Sequence, residues 1–86
     1  MNAKEWLISW FCENSNTSKE ELIRHENDNY FDIGFIDSFQ FLTLISDIEN
    51  TFRLRFANED FFDRNFSILT GLVSVIDKKR GQADGL

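Results

Sequence analysis

The chain is 86 residues long, which leaves room for one compact domain around one core and too little for a cleft enzyme with its own cofactor domain. Its formal charge of −6 sets it against nucleic-acid phosphates and anionic membrane surfaces, and favours a basic patch on a protein partner. The single cysteine, Cys12, cannot close an internal disulfide, no Cys or His pair stands at metal-ligand spacing, and neither a signal peptide nor a membrane-length apolar run occurs, so a cytoplasmic monomer is expected.

Ten phenylalanines, against two tryptophans and one tyrosine, mean that large flat side chains must fill much of the core. With no proline in the chain, helix ends must come from glycines, caps or the end of an apolar period. Asn2 with Glu5 makes a cap, and Trp6, Leu7, Trp10 and Phe11 follow at helical spacing, predicting a first helix over residues 3–13. Trp6 and Trp10 stand one turn apart and belong to its core side. Residues 13–17 are polar and turn-prone, and Ser18 with Glu21 has capping-box spacing ahead of Leu22 and Ile23, predicting a short helix.

From 25 to 37 no period is sustained, which predicts a long loop pinned by Tyr30, Phe31, Ile33, Phe35 and Ile36 as buried anchors, with Gly34 as a turn former. Residues 27–34 hint at a calcium loop, but Tyr30 and the displaced glycine break the ligand spacing. Ser38 then opens the best periodic segment. Phe41, Leu44, Ile45, Ile48 and Phe52 fall on one arc at about 100° per residue, predicting a helix over 38–53 with Phe52 at the centre of the core.

Asn58 can cap a short helix carrying Phe61 and Phe62, and Ser67 a last one with Leu69, Leu72, Val73 and Ile76, closed by Lys78, Lys79 and Arg80. The expected fold is all-α: a small four-helix bundle with a long loop before the second main helix. It forms one domain over residues 1–80, and residues 81–86 are a small, polar tail expected to fray.

The run Gly34-Phe35-Ile36-Asp37-Ser38-Phe39 places a hydroxyl at the junction of a loop and a strongly amphipathic helix. A serine there is open to solvent, and a phosphodiester on it meets free N–H groups and the positive end of the helix dipole. Taken alone, Asp-Ser is equally the signature of an ordinary helix cap. The whole pattern, a Gly shortly before Asp37-Ser38, then Phe39 and a helix with Leu42, Ile45, Ile48 and Phe52, resembles the attachment motif of the acyl carrier protein family. The two residues between Gly34 and Asp37, with Asp63-Arg64 after Phe61-Phe62, are more similar to D-alanyl carrier proteins and related stand-alone carriers than to fatty-acid carriers.

The resemblance covers most of the chain and implies a four-helix carrier that catalyses nothing itself. It implies covalent 4′-phosphopantetheine, taken from coenzyme A, on Ser38, with Asp37 serving recognition or the helix cap. It also implies three partners: a phosphopantetheinyl transferase, an adenylate-forming acyl or aminoacyl ligase, and a downstream acyl-accepting enzyme, with the cargo held as a thioester. The competing reading is an unmodified helical adaptor that keeps Ser38 as a cap.

Projected from Ser38, Phe39 and Leu42 lie off the core arc, on a side shared with Ser46, Glu49 and Arg53, and this strip is the expected docking surface. Where the fatty-acid carriers bear several acids on the equivalent helix, Gln40, Thr43 and Asn50 stand here, leaving Asp47 and Glu49. His25 lacks a partner for base chemistry and Cys12 one for nucleophilic chemistry; they read as loop and structural residues.

Overall fold

The first two helices begin where a side-chain oxygen takes an otherwise unpaired N–H. Asn2 accepts from Glu5 at 3.0 Å to start α1 (Ala3–Asn14), and Ser18 accepts from Glu21 at 3.2 Å to start α2 (Lys19–Arg24), both as expected. The structure, a computed structural model, describes residues 2–84, with side chains through Gly81. After the loop come α3 (Ser38–Phe52), two 3₁₀ turns (Asn58–Phe62 and Arg64–Ser67) and α4 (Leu69–Asp84). No strand forms among the described residues; one isolated antiparallel bridge joins Asn29 and Ile68. The all-α, four-helix expectation holds.

Three boundaries differ from the sequence reading. The segment with Phe61 and Phe62 is a 3₁₀ turn entered at Ala57, with no side-chain cap from Asn58; the Asp60 carboxylate reaches back to the Ala57 N–H at 2.6 Å instead. Ser67 does not cap the last helix: it ends the second 3₁₀ turn, its carbonyl accepts from the Tyr30 N–H, and Ile68 is extended before α4 begins. Finally, α4 runs past Arg80 through Asp84, because Gly81 does not stop a helix by itself. Gly85 and Leu86 of the expected tail lie outside the described residues.

The core is aromatic at its centre. Phe11 of α1 stands 5.4 Å from the Tyr30 ring, Tyr30 5.1 Å from Phe31, Phe31 5.1 Å from Phe41 of α3, and Phe41 6.0 Å from Phe66. Phe56 and Phe61 close on Phe66 at 4.9 and 5.0 Å. The buried Tyr30 hydroxyl donates to the Phe66 carbonyl, and burial pushes its pKa far above the ordinary phenol value, so it stays a neutral donor. Leu7, Leu22, Leu44, Ile48, Leu72 and Ile76 pack around this array, fully buried.

Close backbone packing joins α4 to the second 3₁₀ turn, α1 to α4 and α1 to α2. The first contact needs Gly71, whose Cβ, if present, would lie 2.2 Å from the Asn65 carbonyl oxygen. By contrast, α3 is attached through side chains: Phe41 on Phe66, Phe52 edge-on to Trp6, and the Trp10 indole N–H donating to Asp47 at 2.9 Å.

Two expectations about the core are corrected. Ile33 is 38% exposed and anchors nothing, because the chain turns at Gly34 and puts Tyr30 and Ile36 inward, with Phe31 and Phe35 half-buried. Phe52 is half-buried at the rim, under the Arg80 guanidinium at 5.0 Å, while the centre belongs to Phe66, in a segment too short to show a period. Phe66→Ala should therefore cost about 3–5 kcal/mol and Phe52→Ala clearly less. Urea midpoints of the two variants give the order, and the reverse order would contradict this core.

Candidate functional site

Gly34 has φ +77°, a left-handed conformation that side chains rarely adopt, and its turn returns the Phe35 N–H to the Tyr30 carbonyl at 3.0 Å. Ile36, buried, then fixes the last loop residue before the helix. Asp37 is the N-cap of α3: its Oδ1 accepts from the Gln40 N–H at 2.8 Å, and Gln40 Oε1 accepts from the Asp37 N–H at 3.1 Å, a complete capping box. Ser38 is thus the first helical residue rather than the cap, exposed and released from any structural task.

The N–H groups of Ser38 and Phe39 have no partner among the described residues. Two unpaired donors and the positive end of a four-turn helix therefore lie beside an exposed hydroxyl, which suits a phosphodiester on Ser38. The nearest carboxylate, that of Asp37, is turned onto the Gln40 N–H, so the helix start itself holds part of its charge.

Down α3 the strip expected from the sequence is partly present. Phe39 is 83% and Leu42 67% exposed, and Ser46 and Arg53 are exposed with them. Arg53 closes the helix at φ 54°, its N–H donating to the Glu49 carbonyl, and an arginine there suits the negative helix end. Glu49 is half-buried, and its carboxylate accepts from the Phe56 N–H at 2.9 Å, which holds the chain reversal after α3. Asp47 is likewise engaged with Trp10. Both acids left on this helix for partners are thus used within the fold.

Three residues stand differently from the sequence reading. His25 is not alone: it ends α2 and its Nδ1 lies 2.8 Å from Asp28 Oδ2, with no nucleophile in the pair. Gln40, read as a mere loss of an acid, is half of the capping box, a signal legible in the Asp37-x-x-Gln40 spacing. Phe62, placed on a helix with Phe61, is 89% exposed: the 3₁₀ turn buries neither residue, although the Phe61 ring still meets Phe66. Cys12 is half-buried against the core, and Trp6 sits at its edge.

Asp60 joins this turn to α4 through Lys79 Nζ at 2.9 Å. Burial raises its pKa, but the hydrogen bonds from Lys79 and the Ala57 N–H and the charges of Lys79 and Lys78 outweigh that, leaving it below the usual carboxylate value.

Because Asp37 and not Ser38 is the cap, Asp37→Ala should cost about 1 kcal/mol of stability and Ser38→Ala only a few tenths. Chemical denaturation of the unmodified variants measures both; a larger loss for Ser38→Ala would make that serine structural.

No curated protein and no solved structure gives a match to this chain. The family model described as the phosphopantetheine attachment site matches residues 5–68, from the first turn of α1 through the second 3₁₀ turn. Matched over most of its length, the chain belongs to this family, whose domain is the attachment site for covalently bound 4′-phosphopantetheine.

Proposed function

We propose that Ser38 is the attachment residue and that the protein carries an acyl or aminoacyl group as a thioester between partner enzymes, as stand-alone carriers of the D-alanyl type do. The observation that carries the reading is the exposed Ser38 hydroxyl on the first residue of a capped helix whose leading N–H groups are unpaired. In the modification, Ser38 Oγ attacks the phosphorus on the pantetheine side of the coenzyme A diphosphate. The new O–P bond forms as the bond to the nucleotide half breaks, that half leaves with the electron pair, and a base of the transferase takes the hydroxyl proton. The bound group supplies a flexible arm ending in a thiol. The chain's own part is to present Ser38, to offset the phosphodiester charge at the helix start, and to offer a docking face.

That face is Phe39 and Leu42, extended by Ser46, Glu49 and Arg53, with Asp37 at its head. An adenylate-forming ligase that loads the arm would read it mainly by apolar contact, since Asp47 and Glu49 are held by Trp10 and Phe56. No helix among the described residues is long and apolar enough to cross a membrane, which is compatible with a cytoplasmic site of action.

Intact mass spectrometry after incubation with coenzyme A and a broad-specificity transferase should show one phosphopantetheine addition on the wild type and none on Ser38→Ala. No addition to the wild type under any transferase would favour the unmodified adaptor, and addition at another serine would move the site.

For docking, loading of the modified carrier by its ligase should depend weakly on salt as the Debye length falls from about 30 Å to 8 Å. Phe39→Ala and Leu42→Ala should each cost about 1–2 kcal/mol in kcat/KM, and Asp47→Asn, which keeps an acceptor for Trp10, less. A steep salt slope with neutral Phe39 and Leu42 variants would sink the apolar account.

A further inference from the structure

The Gln40 side chain does more than a helix cap requires. Its Oε1 takes the Asp37 N–H at 3.1 Å, which completes the cap of α3, while its Nε2 donates at 2.8 Å to the carbonyl of Asn14, the last residue of α1. That carbonyl is among the final four of α1, which have no partner inside their own helix. One amide therefore satisfies an orphan donor of α3 and an orphan acceptor of α1, and ties the start of one helix to the end of the other.

The tie continues on the α1 side. Asn14 Nδ2 donates to the Trp10 carbonyl at 2.9 Å, and the Trp10 indole donates to Asp47 two turns further along α3. On the loop side Ile36 is buried. The backbone around Ser38 is thus held at Ile36, Asp37 and Gln40, in a helix that otherwise meets the rest of the fold through long side chains. A glutamate at 40 would serve the cap equally well, since the cap needs only an acceptor. The donor half of the amide serves the link to α1 and nothing in the cap.

We propose that Gln40 is a positioning residue for the modification of Ser38: by clamping the first turn of α3 to the C-terminus of α1 it fixes the direction from which Ser38 Oγ attacks. This rests on the reading of Ser38 as the attachment residue. Misdirection of an attacking atom lowers the chemical step more than binding, because the enzyme still meets the same surface.

The test uses the intact unmodified protein, coenzyme A and a broad-specificity phosphopantetheinyl transferase, with wild type, Gln40→Glu and Gln40→Ala. Gln40→Glu keeps the acceptor for the Asp37 N–H but loses the donor to Asn14, so its urea midpoint should fall, though by less than that of Gln40→Ala, which loses the cap acceptor too. The kcat of Gln40→Glu should fall about five- to tenfold, with KM within about twofold, and amide exchange over residues 38–41 should quicken. Gln40→Ala should lose kcat to a similar degree. Wild-type kcat in Gln40→Glu would overturn the proposal, even with a slow Gln40→Ala, because the cap alone would then suffice. A change confined to KM and relieved by salt would overturn it too, as an effect of the added charge. Absence of any modification of the wild type would instead overturn the reading of Ser38 on which the proposal stands.

Discussion

The fold depends on the aromatic array that runs from Phe11 through Tyr30, Phe31 and Phe41 to Phe66, closed by the Tyr30 hydroxyl on the Phe66 carbonyl. It lets the first helix, the long loop and the 3₁₀ segment share one interior. A hydroxyl buried among rings would be costly if unpaired, so its single acceptor fixes where residue 66 must lie. The bridge between Asn29 and Ile68 and the Tyr30 N–H on the Ser67 carbonyl follow from that placement.

A second consequence concerns α3. Held off the other backbones by Phe41, Phe52 and the Trp10–Asp47 bond, it turns one face inward through large side chains and leaves the opposite face uncovered. Phe39 and Leu42 stand in water next to Ser38, on a side of α3 that no other element among the described residues covers. The chain is acidic overall, yet the body of α3 lends this face little free charge, since Asp47 and Glu49 have become internal acceptors. The net charge by itself would have suggested an electrostatic docking face.

The division of labour at the helix start has a similar logic. The capping box takes one N–H of α3 with Asp37 and returns the Asp37 N–H to Gln40, leaving the donors nearest Ser38 unpaired. In the proposed reading stability falls to Asp37 and chemistry to the adjacent Ser38, and derivatising that serine leaves the cap in place.

Much of this was legible in the chain. The caps at Asn2 and Ser18, the helix opening at Ser38, the outward position of Phe39 and Leu42 and the attachment motif all depend on residues within a turn of one another, and local spacing determines them. What it did not determine were features set by distant partners. Periodicity placed Phe52 at the centre and was silent on Phe66, because a four-residue 3₁₀ turn shows no repeat and its burial comes from Tyr30 and Phe41, far away in sequence. Asp47 and Glu49 looked available because their acceptors' partners, Trp10 and the Phe56 N–H, come from other segments. Gln40 looked like a neutral surface residue because its second bond reaches back 26 positions to Asn14. The sequence by itself determined the first three helices, their starts and the serine at the head of α3, since these are nearest-neighbour effects of backbone hydrogen bonding, but not the 3₁₀ turns or the start of α4. Only the tertiary structure decided which polar side chains were consumed inside the fold, because their partners come from other segments of the chain.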